Sequence, residues 1–213
     1  MQSGILRILI VGLMLLVAAT MLLRRPALPP PEGATELAPP LALADVELID
    51  QHGAPFRTAD LTGEYSLLFF GFTHCPDVCP LTMHVLARAL DRLADSNVRT
   101  VPSVVLVSVD PERDTPERLR EYLGNFHADF VGITGPDPAL APLLKQLGIS
   151  VMKHSLAGGS YSVTHNSQVF VVNPKAEVVA IISKAEDPDS VVSDYSRIRQ
   201  RYARGLLGTA GPQ

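Results

Sequence analysis

The run Ser66–Phe72 (SLLFFGF) carries no charge and leads directly into THCPDVCPLT, so a buried strand delivers two cysteines to the mouth of a helix. No other segment constrains the chain as much. A short continuous apolar run is a strand covered on both faces, and such strands need a sheet with layers packed above and below it. Beyond the cysteines, Leu81, Val85, Leu86, Ala89 and Leu93 recur at mostly three- and four-residue spacing, and Pro80 is tolerated in a first helical turn.

The pattern repeats downstream. Ser103–Asp110 is a second buried strand, and Thr115-Pro116-Glu117 opens a second helix towards Leu123. Ala139–Leu147 carries a third helical pattern that stops at Gly148. Ser167–Asn173 and Glu177–Ser183 read as strands about a turn at Asn173-Pro174, and Asp189–Tyr202 closes with an amphipathic helix. Ahead of all these, Asp45–Leu61 reads as a hairpin turning at His52-Gly53. Strand and helix alternate first, then a hairpin and a final helix follow. This order predicts an α/β fold whose central sheet is covered by helices on both faces.

The N-terminus is different in kind. Ile8–Leu23 runs without a charge between Arg7 and the pair Arg24 and Arg25. At about 1.5 Å per residue it covers roughly 24 Å of a ~30 Å hydrocarbon core, a shortfall that Gly4, Ile5 and Leu6 make up if Arg7 snorkels. One transmembrane helix, a membrane anchor over 1–23, is the expectation. A cleaved signal peptide fits less well, because its apolar region usually runs roughly 7–15 residues and the stretch around Ala18 and Ala19 is a poor cleavage site. Pro26, Pro29, Pro30, Pro31, Pro39 and Pro40 then fall within 24–42, a composition that favours polyproline II and predicts a stiff Pro-rich linker. The folded domain is expected over 43–205, with a flexible tail over 206–213.

Charge and cysteine count narrow the function. The 18 basic and 22 acidic residues leave a net −4 with no long basic run, which argues against nucleic acid as a partner. Two cysteines exclude a disulfide-dense scaffold and a four-thiolate zinc site. Cys75 and Cys79 are four apart, and residues so spaced on a helical turn share a face with Cα atoms about 6 Å apart, within disulfide reach. The helix N-terminus lowers a thiol pKa and favours the thiolate, which both attacks disulfides and binds soft metals. Two thiolates and one imidazole suit Cu(I). Six histidines are available to complete such a set. His52 falls in the hairpin turn, His127 at a helix end and His154 in a loop with glycine and serine, all three expected in solvent. His84 lies about 140° round the helix from Cys79 and faces away, while His74 adjoins Cys75 but points to either side of the chain. His165, at the start of the strand that follows it, is the favoured third ligand.

These motifs, GFTHCPDVCPLT, VSVDPERDTPERL and YSVTHNSQVFVVNP in this order, resemble the Sco (SenC) family over about Asp45 to Tyr202. The resemblance implies a thioredoxin-like fold with an N-terminal hairpin extension, tethered to a bacterial or mitochondrial inner membrane. It implies one copper ion per domain, Cu(I) or Cu(II), held by Cys75, Cys79 and His165. It also implies a role in assembling the CuA centre of cytochrome c oxidase, by delivering copper, by reducing the acceptor cysteines, or both. The CuA-bearing subunit is then the partner, with another periplasmic copper chaperone or thiol reductase beside it. Asp77 and Asp110 match acidic positions near the family's site, and each also has a local reading, as a helix cap and a strand-end turn residue. One position departs: the family's histidine usually follows Asp and precedes Ser or Thr, whereas Thr164 and Asn166 flank His165, so copper retention or oxidation-state preference is expected to differ.

On this reading the protein is a metallochaperone more than a conventional enzyme. The alternative is a membrane-tethered thiol–disulfide oxidoreductase, or a redox sensor, in which Cys75 attacks and Cys79 resolves. Against it, the spacing is C-x-x-x-C, and the chain has no proline between Pro142 and Pro174 to serve as the cis-proline that thioredoxins place opposite their cysteines. A thiol peroxidase fits no better, because Phe72 and Leu68 stand where its signature needs Ser or Thr and Pro. Disulfide chemistry belongs in an oxidising compartment, so the domain is expected in the bacterial periplasm, anchored by a single pass in the inner membrane.

Overall fold

The computed structural model describes residues 28–96, 100–183 and 185–205, with 10 and 12–14. Among the described residues ten strands are present: β1 (Ala34–Ala42), β2 (Glu47–Asp50), β3 (Pro55–Arg57), β4 (Ser66–Gly71), β5 (Ser103–Ser108), β6 (Val131–Thr134), β7 (Val151–Ser155), β8 (Tyr161–His165), β9 (Val169–Val172) and β10 (Glu177–Ile182). The helices are α1 (Val78–Asp95), α2 (Pro116–Leu123), α3 (Asp137–Gln146) and α4 (Pro188–Ala203). Eight strands form one mixed sheet in the order β1-β10-β9-β4-β5-β6-β2-β3, while β7 and β8 make a separate pair.

The apolar run sits where its composition demands. β4 lies within the sheet, parallel to β5 and antiparallel to β9, and all its residues from Ser66 to Gly71 are buried, so both faces are covered. α1 packs Met83, Leu86, Ala89, Leu90 and Leu93 inward. It lies beside α4 through Arg92–Asp189 and beside the end of α2, where the His84 and Phe126 rings are 4.7 Å apart and His127 Nε2 is 3.6 Å from Asp91. α2 starts as expected, with the Thr115 side chain accepting from the Arg118 N–H and Pro116 in the first turn. Its Leu119 and Leu123 press on Gly132 of β6 so closely that a Cβ there would come 2.6 Å from Leu123. The hairpin about His52-Gly53 is β2–β3; Asp50 Oδ1 accepts from the N–H groups of His52 and Ala54, and Gly53 takes φ +80°.

Several expectations need correction. The linker over 24–42 does not stay outside the domain, because Ala34–Ala42 is the edge strand β1, paired antiparallel with β10. Its prolines fit there for a physical reason. Pro39 and Pro40 fall between Glu36 and Leu41, where the register shifts and no ladder N–H is needed. The segment is fastened along α4: the N–H groups of Glu32 and Gly33 donate to Asp194 at 2.8 and 2.9 Å, and Arg201 grips Glu36 with two bonds of 2.7 and 3.0 Å. The domain therefore begins some ten residues before Leu43. His154 is not in a loop but on β7, opposite Ser162. His127 is not fully solvated, since it packs on Phe130 as well as meeting Asp91. His165 ends β8 and does not start the next strand. The anchor over 1–23 lies outside the described residues apart from Ile10 and Gly12–Met14, which are helical, and the tail over 206–213 lies outside them altogether. Among the described residues no helix is long and apolar enough to cross a membrane.

Candidate metal centre

The site grows from the end of β4. Gly71 is required there: a Cβ would lie 2.9 Å from the Phe69 ring and 3.2 Å from Cys79 Sγ, so only glycine lets the first turn of α1 close onto the strand. The chain then turns through Thr73 and His74, with the Cys75 N–H donating to the Phe72 carbonyl at 3.3 Å. Cys79 lies within the first turn of α1 and is fully buried; Cys75 precedes the helix and is half-buried. The pair is therefore not the two ends of one helical turn, as the spacing alone predicts.

Cys75 instead does what a capping residue does. The Cys79 N–H donates to Cys75 Sγ at 3.4 Å, and the Asp77 N–H points to the same sulfur. Free N–H groups at a helix start seek an acceptor, and a thiolate is a good one. Asp77, the expected cap, has an exposed side chain that makes no capping bond. The Cys75 thiol is lowered from an ordinary 9.0 to about 4, first by the hydrogen bond from the Cys79 thiol, then, against the opposing effect of burial, by the two N–H groups. Cys79 moves the other way, pushed up by the Cys75 thiolate, by burial and by the Asp114 charge. One negative charge is thus shared, and it sits on Cys75.

His165 arrives from the other side. Its Nε2 is 3.4 Å from Cys79 Sγ and its Nδ1 is 2.6 Å from the Asn166 carbonyl. A carbonyl only accepts, so Nδ1 carries the proton and Nε2 turns its lone pair to the sulfurs, as in a metal-ligating histidine. The ring is held edge-on by Phe69 and Phe72, with centroids 6.4 and 5.6 Å away. Asn166 Oδ1 in turn accepts from the Ser150 N–H at 2.9 Å. Thr164, where the family's carboxylate is usual, faces solvent on the opposite side of the strand. In this chain a backbone carbonyl orients the imidazole.

The remaining histidines stay apart from the sulfurs. His52 is exposed, His154 is exposed on β7, and His84 and His127 pack as described. His74, 43% exposed, has Nδ1 3.1 Å from Thr73 Oγ1 and 3.7 Å from Asp114. The three favoured donors, Cys75, Cys79 and His165, do come together. They form a hydrogen-bonded set; among the described residues no three His, Cys, Asp or Glu side chains are already arranged as a metal-holding group. By chemistry the set of two sulfurs and one imidazole fits a soft ion such as Cu(I), and no carboxylate competes within it.

Two carboxylates behind the site carry more than the sequence discloses. Asp110 is fully buried, paired with Arg113 and accepting from the Tyr161 hydroxyl at 2.7 Å, so it is much more than a turn residue. Asp114 escaped the sequence reading. It too is fully buried and accepts from the Thr73 N–H at 3.0 Å and from the Thr73 and Ser108 hydroxyls at 2.7 Å each, tying the cysteine loop to the end of β5. The only hint was a second Asp four residues after the first in VDPERDTP.

Known proteins place this geometry. A family model described as SCO1/SenC matches residues 36–200. The mitochondrial SCO1 homolog 1 of Arabidopsis thaliana is 33% identical over 158 residues, 74% of this chain and 47% of that one. The crystal structure of Arabidopsis thaliana ScoI with copper bound superposes with a TM-score of 0.70 at 32% identity, covering 74% of this chain and 98% of that chain. The structure of Bradyrhizobium japonicum ScoI with copper bound gives 0.63 at 28% identity, over 74% and 99%. The chain spans between 47% and 65% of the length of three curated relatives it matches.

Proposed function

Because the chain belongs to the SCO1/SenC family, we propose that it binds copper through Cys75, Cys79 and His165 and serves assembly of the CuA site of cytochrome c oxidase. The observation that carries this reading is the meeting of Cys79 Sγ and His165 Nε2 at 3.4 Å, from elements 86 residues apart, beside a Cys75 thiolate. Relatives of the same fold were solved with copper bound.

Copper is cargo here, and the residues divide the work of holding it. Cys75 is already ionised and offers the first sulfur without releasing a proton. Cys79 must lose its proton on loading, so copper uptake releases about one proton per ion. His165 presents Nε2 with its tautomer set by the Asn166 carbonyl. Thiolates of the CuA-bearing subunit then displace these donors one at a time. The domain works from the periplasmic face of a bacterial inner membrane, held there by the 1–23 anchor.

A second reading rests on the same sulfurs. Cys75, ionised and half-exposed, attacks one sulfur of an acceptor disulfide and expels the other as a thiolate; Cys79, losing its proton to that thiolate, attacks Cys75 Sγ and expels the second acceptor sulfur; two electrons pass, leaving the acceptor dithiol with one sulfur ionised and a Cys75–Cys79 disulfide. That chemistry would keep CuA cysteines reduced.

The deciding test titrates the reduced full chain in detergent with chelator-buffered Cu(I) without oxygen, beside Cys75→Ser, Cys79→Ser and His165→Ala. One equivalent, abolished in both serine variants and weakened in the alanine variant, is expected. Binding indifferent to His165, with rapid reduction of an oxidised CuA domain, would overturn delivery in favour of the thiol reaction.

A further inference from the structure

We propose that Asp110, Arg113 and Tyr161 are positioning residues for His165, fastening the start of β8 to the end of β5 and so setting where the imidazole meets the sulfurs. This rests on the three-donor reading above and adds to it the device that holds the third donor in place.

The need for such a device follows from how β7 and β8 are built. They pair only with each other, and Met152, Lys153, His154 and Ser155 are all exposed. Two strands alone are marginal in water, so this pair needs an outside hold to place a side chain accurately. Tyr161, Val163 and His165 alternate on one face of β8 and are the half-buried positions, with Ser162 and Thr164 exposed between them. Tyr161 and His165 therefore share a face about 13 Å apart along the strand.

At Tyr161 the hold is dense. Its hydroxyl donates to Asp110 Oδ1 at 2.7 Å, its carbonyl accepts from Arg113 Nη1 at 3.1 Å, and its ring lies 3.9 Å from the Arg113 guanidinium carbon. Arg113 also pairs with Asp110 and sits 5.8 Å from the centre of the Phe72 ring, which also meets the His165 ring. One guanidinium thus joins the end of β5, the start of β8 and the aromatic ring beside the ligand. A fully buried carboxylate is expensive unless paired, and an exposed hairpin gains little stability from the pairing. What the arrangement supplies is position. The neighbouring Lys153–Glu112 pair, 2.9 Å apart but exposed, adds little.

Two conservative variants test it. Tyr161→Phe removes the hydroxyl and keeps the stacked ring; Arg113→Lys keeps a charge for Asp110 and loses the fork that also reaches the Tyr161 carbonyl. Each is made alone and with His165→Ala in the full chain, and read by hydrogen exchange without metal and by buffered Cu(I) titration. Exchange over 151–165 should quicken while that of β4 and β5 stays unchanged. Copper should bind about tenfold more weakly, the scale of losing an outer-shell partner, and this penalty should vanish in the His165→Ala background. Unchanged exchange over 151–165, or an equal copper penalty with and without His165, would overturn the proposal. If wild-type copper binding ignores His165, the three-donor reading falls, and the exchange result alone still decides whether the tether exists.

Discussion

The two halves of the site are supported by different kinds of structure. Cys75 and Cys79 stand at the junction of a strand buried at every residue and a helix whose inner face is core. His165 stands at the end of a two-stranded arm that is mostly exposed and joins no other strand. The cysteine half is placed by hydrophobic packing, which orders many side chains at once; the histidine half is placed by a few polar contacts together with the limited packing of Val151, Val163 and the Phe69 and Phe72 rings. A site built this way has two donors fixed by folding and a third set by a separable hold, which suits a protein that must take up an ion and give it away.

The widest gap between the halves should appear in stability. Phe69→Ala empties a fully buried place beneath the cysteines and should cost about 3–5 kcal/mol in urea unfolding. A loss under about 1 kcal/mol would mean that the cysteine half is not core-supported and the contrast fails. The charge on Cys75 gives the next test. With its pKa lowered to about 4, the thiolate persists as pH falls and is lost only through that value, so alkylation of the metal-free protein should change little from pH 8 to pH 5, where an ordinary thiol becomes unreactive. Because the Cys79 thiol is the leading cause and the Nε2 lone pair of His165 donates no hydrogen bond to the thiolate, Cys79→Ala should raise the midpoint further than His165→Ala does. The reverse order would move control of the charge to the arm.

Gly71→Ala should cost about 1–3 kcal/mol by overpacking against Phe69 and Cys79, and should slow alkylation of neither cysteine in the unfolded chain. Wild-type melting would show that the strand–helix junction has slack. The smallest effect belongs to the arm. Gly158 at φ +81° turns β7 into β8, and Gly158→Ala should cost only about 1 kcal/mol locally, seen as faster exchange over 151–165 with the melting temperature of the domain almost unmoved. A shift as large as that of Gly71→Ala would mean that the arm and core unfold together.

How much of this was legible follows the same division. β4, α1, β5 and α2 announce themselves through apolar runs, helical spacing and a Thr-Pro start, since their partners are core and core is written in composition. β7 and β8 do not, because β7 is exposed at four of its five residues and the alternation of β8 spans only five residues with one aliphatic side chain on its half-buried face; the Gly158-Gly159 pair between two five-residue stretches was the available sign. β6 is four residues long, and β1 was hidden by prolines that an edge strand tolerates. At the site, the cysteine pair was plain and His165 was legible as a candidate. Asp110 and Asp114 were not, since what gives them their roles is burial against Tyr161, Thr73 and Ser108, and burial of a lone Asp leaves no local pattern.

The clamp on β1 has a mechanical consequence. The chain reaches the domain along an edge strand laced to β10, with Arg201 and Asp194 gripping its first residues. A pull from the N-terminal side runs along that strand, across hydrogen bonds that lie perpendicular to it, so the rungs carry the load together and do not give way singly. The domain is therefore hauled and turned as one stiff body from its sheet edge. The junction of β4 and α1, three strands away, is shielded from that strain.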